Sequence, residues 1–116
     1  MPNLEYEITH PDSEVAIVTP RGELDLSGAA VLEPELERLV DEPGLTTLVL
    51  DLSRLDFMDS SGLRLVVVAS TRAREAGRRF VLVRGDEQVH RVFEITRMAE
   101  RLEFIAHDDE LLSERS

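Results

Sequence analysis

At 116 residues the chain is long enough for one compact domain whose core needs no covalent staples, and two domains are not expected. Its residues are 42% hydrophobic but 4% aromatic, which predicts a core of Leu, Val, Ile and Ala with Phe57, Phe80, Phe93 and Phe104 as bulky fillers. A formal net charge of -11 argues against nucleic acid or an anionic membrane as partner, and the lack of cysteine excludes disulfides and thiolate metal sites.

The first ten residues, MPNLEYEITH, lack the basic and apolar regions of a signal peptide, and the apolar run LRLVVVA is far too short to span a bilayer. A cytoplasmic chain whose partner is a protein or a cation is therefore expected. All 13 basic residues are arginine, to which no functional weight is attached.

In chain order, LEYEI (4–8) and EVAIVTP (14–20) flank the turn-rich THPDS, which predicts an antiparallel hairpin. SGAAVLEPELERLV (27–40) sets Ala30, Val31, Leu32, Leu36, Leu39 and Val40 near helical spacing, with Ser27 as the expected N-cap. Pro34 inside that span predicts a helix that starts late or bends. EPGLT breaks the chain, and TLVLDLS (47–53) reads as a strand buried on both faces at the centre of a sheet.

After RLDFMDSSG (54–62), read as a connection, LRLVVVASTRAREAG (63–77) turns helical and stops at Gly77. Its β-branched valines leave a strand over LRLVVVA as the fallback. RRFVLVRG (78–85) reads as a short buried strand. DEQVHRVFEITRMAERL (86–102) reads as an amphipathic helix with Val89, Val92, Phe93 and Met98 on one side, and EFIAHDDELLSERS (103–116) as a last strand followed by an acidic terminal helix.

The order β-β-α-β-α-β-α-β-α predicts an α/β class, a single domain over 1–116 with its core at about 4–112. A mixed sheet of four or five strands is flanked by about four helices, with right-handed crossovers. No internal repeat and no linker is read.

The three histidines form no ligand pattern, and His10, His90 and His107 are expected to be solvated, with Asp108 capping the terminal helix. No metal site is expected. A serine hydrolase would carry G-x-S-x-G at a strand-to-helix elbow, but MDSSGL has only the elbow and the trailing glycine. Nothing in the sequence supports a triad of Ser60 with His90, and no nucleotide-binding glycine motif is present.

What remains is FMDSSGL (57–63) itself. Asp59, Ser60 and Ser61 are the residue types that accept hydrogen bonds from the first free N–H groups of a helix, so capping alone explains them. The same place also suits a switch, because a phosphate on an exposed hydroxyl there meets the positive helix end while adding about -1.5 to -2 charges to a docking surface. Arg64, one turn beyond Ser60, is either a partner for such a phosphate or an ordinary solvated residue. A second junction, PRGELDLSGA (20–29), bears Glu23 and Asp25 before its helix, Asp25 being a first-turn acid or an alternative cap. The two junctions make one docking surface if their strands are neighbours and point the same way.

Taken together, GELDLSGAAVLEPEL, VLDLSRLDFMDSSGLRLVVVA and QVHRVFEITRMAERLEFIAHDDELL resemble the anti-sigma factor antagonist family, the small STAS domains of bacteria, from about Val15 to Leu112. The pairing of GELD with FMDSSGL carries the resemblance. It implies a partner-switching regulator and no enzyme. The unphosphorylated antagonist binds an anti-sigma factor that is also a serine kinase, releasing a sigma factor. The kinase spends ATP to phosphorylate the serine after the motif aspartate, the complex dissociates, and a phosphatase of the PP2C type restores binding.

Carried onto this chain, the resemblance makes Ser60 the phosphoacceptor. Glu23, Asp25, Met58, Asp59, Ser61, Gly62, Leu63 and Arg64 become the partner-binding residues, Arg64 being more polar than the family pattern. It implies no cofactor on this chain, ATP belonging to the kinase, and a free form that is a monomer. The alternative is a STAS subunit of a cytoplasmic assembly, a stress-sensing complex or a lipid-transport accessory, in which Ser60 is only a helix cap.

Overall fold

The structure is a computed structural model and describes residues 2–111. Strands β1 (Leu4–Asp12) and β2 (Val15–Leu24) form the expected antiparallel hairpin and lead into helix α1 (Leu26–Val40). Strands β3 (Thr47–Asp51) and β4 (Leu55–Met58) precede helix α2 (Ser60–Glu75). Strand β5 (Arg79–Val83), helix α3 (Glu87–Ile95), a 3-10 turn (Met98–Glu100) and strand β6 (Glu103–Ile105) complete the order. Residues 109–111 are helical, and the rest of the acidic terminal helix expected from the sequence lies outside the described residues.

One mixed sheet runs β1-β2-β3-β5-β6, with β4 also on β2, and every pair except β1–β2 is parallel. The α/β mixed sheet is as expected, but it has six strands instead of four or five. The extra one is β4, hidden in RLDFMDSSG. Its four residues bury Leu55 and Met58 and expose Asp56 and Phe57, so they show neither alternation nor a continuous apolar run. The ten-residue β2 serves two parallel partners in succession, β3 along Val15–Val18 and β4 along Gly22–Leu24.

Side-chain alternation divides the core. Ala16, Val18, Leu48, Leu50 and Leu82 join the cluster formed with the helices, whereas Val15, Ile17, Val49, Val81 and Val83 form a smaller cluster with Leu111. Strand β3 is buried along its whole length, as a central parallel strand should be. Core residues extend from Leu4 to Leu111, and Leu112, the expected limit of the core, lies outside the described residues.

Three helix expectations are corrected. Helix α1 begins at Leu26 and contains Pro34 as an interior residue; Pro34 and Ala30, whose carbonyl it leaves without an N–H, are both exposed, where water can take the bond. Helix α2 begins at Ser60, three residues before Leu63, and the strand alternative for LRLVVVA is overruled because Leu65, Val66, Ala69 and Ala73 form one inward stripe. Helix α3 ends at Ile95 instead of running to 102. Thr96 turns its hydroxyl back to the Val92 carbonyl (2.7 Å), and Arg97 adopts a left-handed conformation (φ 63°). Met98, in the turn that follows, still packs against the core.

His10 and His107 are exposed as expected, but His90 is not solvated. It is 7% exposed, with its ring edge-on to Phe104 at 4.9 Å between centroids and tilted on Phe93 at 6.1 Å. Its place on the inner face of α3, one residue from Val89, explains the burial.

Candidate functional site

The condition for a joint docking surface is met, because β2 and β4 are parallel neighbours in register, Glu23 opposite Phe57 and Leu24 opposite Met58. Each strand is followed by an aspartate and then by a helix. Asp25 is the N-cap of α1 and Asp59 the N-cap of α2, both in extended backbone conformation. Leu26 and Ser60 are the first helical residues, and Gly28 and Gly62 sit at the third helical position of their helices.

The two caps work alike. Asp25 Oδ1 accepts from the Gly28 N–H (2.9 Å), and Asp59 Oδ1 accepts from the N–H groups of Ser61 (2.9 Å) and Gly62 (3.3 Å). Ser27 is thus not the cap; its hydroxyl donates to Asp25 Oδ1 (3.0 Å). The Gly28 N–H, followed by this hydroxyl, holds the Asp25 carboxyl below the usual carboxylate range.

Both glycines are required by close approach. A Cβ on Gly62 would lie 2.5 Å from the Leu24 carbonyl oxygen and from Met58 Cγ, and one on Gly28 would lie 2.4 Å from the Glu23 carbonyl oxygen. The helices therefore start tight against the strand ends, with their N-termini side by side. A four-residue repeat, D-x-S-G at 25–28 and 59–62, encodes the pair. It was the signal that could have favoured Asp25, left open as an alternative cap, over Ser27.

With capping assigned to Asp59, Ser60 has no structural task. It is exposed at the first position of α2, and among the described residues its hydroxyl has no hydrogen-bond partner. Ser61 is half-buried and helps line a cavity of about 120 Å³ between α1 and α2, together with Leu26, Ala29, Ala30, Arg64 and Leu65. Arg64 is exposed and, among the described residues, has no ion pair.

The remaining residues named from the sequence take other places. Glu23 is half-buried and accepts from Asn3 Nδ2 (3.1 Å), which ties it to the start of β1. Met58 and Gly62 are buried under the surface and Leu63 packs against the core, so these three shape the site from below. Sequence reasoning missed Leu26, which is 75% exposed at the position matching Ser60.

Among the described residues no group of three His, Asp or Glu side chains is placed to hold a metal, and no helix is long and apolar enough to cross a membrane. His90 is enclosed by aromatic rings, and Ser60 and Ser61 have no hydrogen-bonded histidine among those residues.

Residues 6–111 match the family model described as STAS domain. A putative anti-sigma factor antagonist, BtrV of Bordetella bronchiseptica, is 38% identical over 76 residues, 66% of this chain and 65% of its own length. The chain thus spans a little less than two thirds of that relative. An anti-sigma-B factor antagonist of Listeria monocytogenes is 30% identical over 101 residues, 87% of this chain and 88% of its own length. The fold is that of the anti-sigma factor antagonist SpoIIAA, whose unphosphorylated form superposes with a TM-score of 0.74 at 21% identity, covering 95% of this chain and 96% of SpoIIAA. The phosphorylated form of SpoIIAA superposes with a TM-score of 0.72 at 20% identity, covering 92% of this chain and 96% of that one.

Proposed function

This chain belongs to the STAS domain family, and from that premise we propose that it is an anti-sigma factor antagonist whose binding is gated by phosphorylation of Ser60. It is a regulatory binding protein, not an enzyme. The observation that carries the reading is the division of labour at the elbow. Asp59 satisfies the helix N-terminus, so Ser60 stands exposed with a hydroxyl free to be modified at no cost to the fold.

In this reading the unphosphorylated chain binds, in the cytoplasm, an anti-sigma factor that is also a serine kinase. The γ-phosphoryl group of the kinase's ATP passes to Ser60 Oγ. The bond to ADP breaks, and the hydroxyl proton leaves to a base on the kinase. A PP2C-type phosphatase reverses the change by hydrolysis, returning serine and inorganic phosphate. ATP is the kinase's ligand, and the free antagonist is a monomer.

The charge change explains the release. A phosphate adds about -1.5 to -2 charges. It does so on a face already carrying Asp25 and Asp59, in a chain of net charge -11. The positive end of α2 stabilises it by only about 0.3–1 kcal/mol when exposed, so the fold tolerates the group while an interface packed over it does not.

The test is incubation of the purified protein with ATP and its cognate anti-sigma kinase, followed by intact mass and fragment mapping. One phosphate on Ser60, abolished by Ser60→Ala and accompanied by dissociation of the complex, is expected. Absence of phosphate on Ser60 with every cognate kinase tried would instead favour the assembly-subunit reading, which expects stable co-purification with that assembly.

A further inference from the structure

Among the described residues three large apolar side chains stand exposed, namely Leu26, Phe57 and Ile95, at 75%, 47% and 73%. None of the three belongs to a core cluster, and Leu26 is the one at a helix start. It begins α1, where proline, polar or acidic residues suit the free N–H groups. The register of β2 with β4 places it beside Ser60, each being the second residue past a paired strand position, Leu24 opposite Met58.

Leu26 also borders the cavity between the first turns of α1 and α2. Ala29 and Ala30 leave the space open, Leu65 lines it, and Ser61 and Arg64 border it from α2. At about 120 Å³ the cavity has the volume of about four waters, or of one aliphatic side chain. Glu33 and Arg64 offset each other in its wall, and the two capping carboxylates, Asp25 and Asp59, at the nearby strand ends leave the surroundings acidic on balance.

We propose that Leu26 and this cavity are the apolar anchor by which the anti-sigma kinase grips the chain. The kinase inserts one aliphatic or aromatic side chain between the first turns of α1 and α2, from a surface with a basic rim that complements the acids. The proposal rests on the functional reading above and assigns its docking face a residue that the sequence motif leaves out. It also couples affinity to the switch. A phosphate on Ser60 stands beside the anchor, and seating an apolar side chain there then requires stripping water from a dianion. Ile95, equally exposed at the C-terminal end of α3, lines no part of this cavity.

The experiment is a titration of the cognate anti-sigma kinase with the unphosphorylated full chain and with Leu26→Ser, Ala30→Phe and Ile95→Ser, each checked for an unchanged unfolding midpoint. Removing the leucine or filling the cavity should each weaken binding by roughly ten- to hundredfold, the range expected for burying one such side chain. Ile95→Ser should bind within about twofold of the parent. Full affinity in both Leu26→Ser and Ala30→Phe, or an equal loss in Ile95→Ser, would overturn the anchor while leaving the functional reading intact. A parent chain that binds no cognate kinase would overturn both.

Discussion

Asp59 and Ser60 are adjacent and similar in polarity, yet their structural duties differ. The Asp59 carboxylate accepts from two N–H groups of α2, whereas among the described residues the Ser60 hydroxyl has no hydrogen-bond partner. Asp59→Ala is therefore expected to cost about 0.5–2 kcal/mol of unfolding free energy, the usual range for a lost cap. Ser60→Ala should stay within about 0.5 kcal/mol of the parent. Urea denaturation of both variants checks the contrast, and a large loss in Ser60→Ala would make the serine structural after all. Gly62→Ala is a third residue-scale case. Its new Cβ meets a backbone carbonyl that cannot yield easily, so a loss of about 1–3 kcal/mol is expected from the same denaturation measurement. The sequence made the acid and serines of FMDSSGL stand out because capping chemistry is local. It misassigned the Ser27 junction because Ser and Asp two residues apart are both good caps, and the choice was made by where β2 ends.

Among the elements, β4 and α3 show where local pattern ran out. β4 is specified by its partner, since its four residues are a strand because β2 extends past β3 and offers them an edge. The end of α3 was obscured because MAERL continues the apolar spacing of a helix, while the stop comes from Thr96 bonding backwards and Arg97 turning left-handed. The hairpin, the buried β3 and the stripe of α2 were legible because each repeats one period over several residues. The packing of α3 on β6 has a pH consequence. Burial foremost, then the positive Arg84 at the end of β5, lowers the His90 pKa below 6.5, and Glu94 on the same helix opposes this. Well above pH 6.5 the ring is neutral whether the chain is folded or not. As pH falls below that value the unfolded chain takes up a proton that the folded chain resists, so stability is lost towards acid. Urea midpoints measured from pH 7.5 to 5.5 should fall in the parent and fall less in His90→Phe; parallel curves would remove His90 as the cause.

For the whole molecule, the fold brings together residues 34 positions apart in sequence, because two parallel strands must end side by side before two helices can start side by side. That juxtaposition was foreseen only as a condition, since no local signal says which strands are neighbours. Its result is a small acidic protein with a rigid core beneath one chemically addressable end. In the proposed function, modification there alters what the surface can bind without altering what holds it together. The most direct measurement is the dissociation constant of the complex with the cognate anti-sigma kinase, determined for the chain before and after stoichiometric phosphorylation of Ser60, with thermal unfolding recorded for both forms. Tight binding lost by at least a hundredfold on phosphorylation, with an unfolding temperature unchanged or slightly raised, is the predicted result. Equal affinities of the two forms, or loss of binding explained by loss of fold, would contradict it.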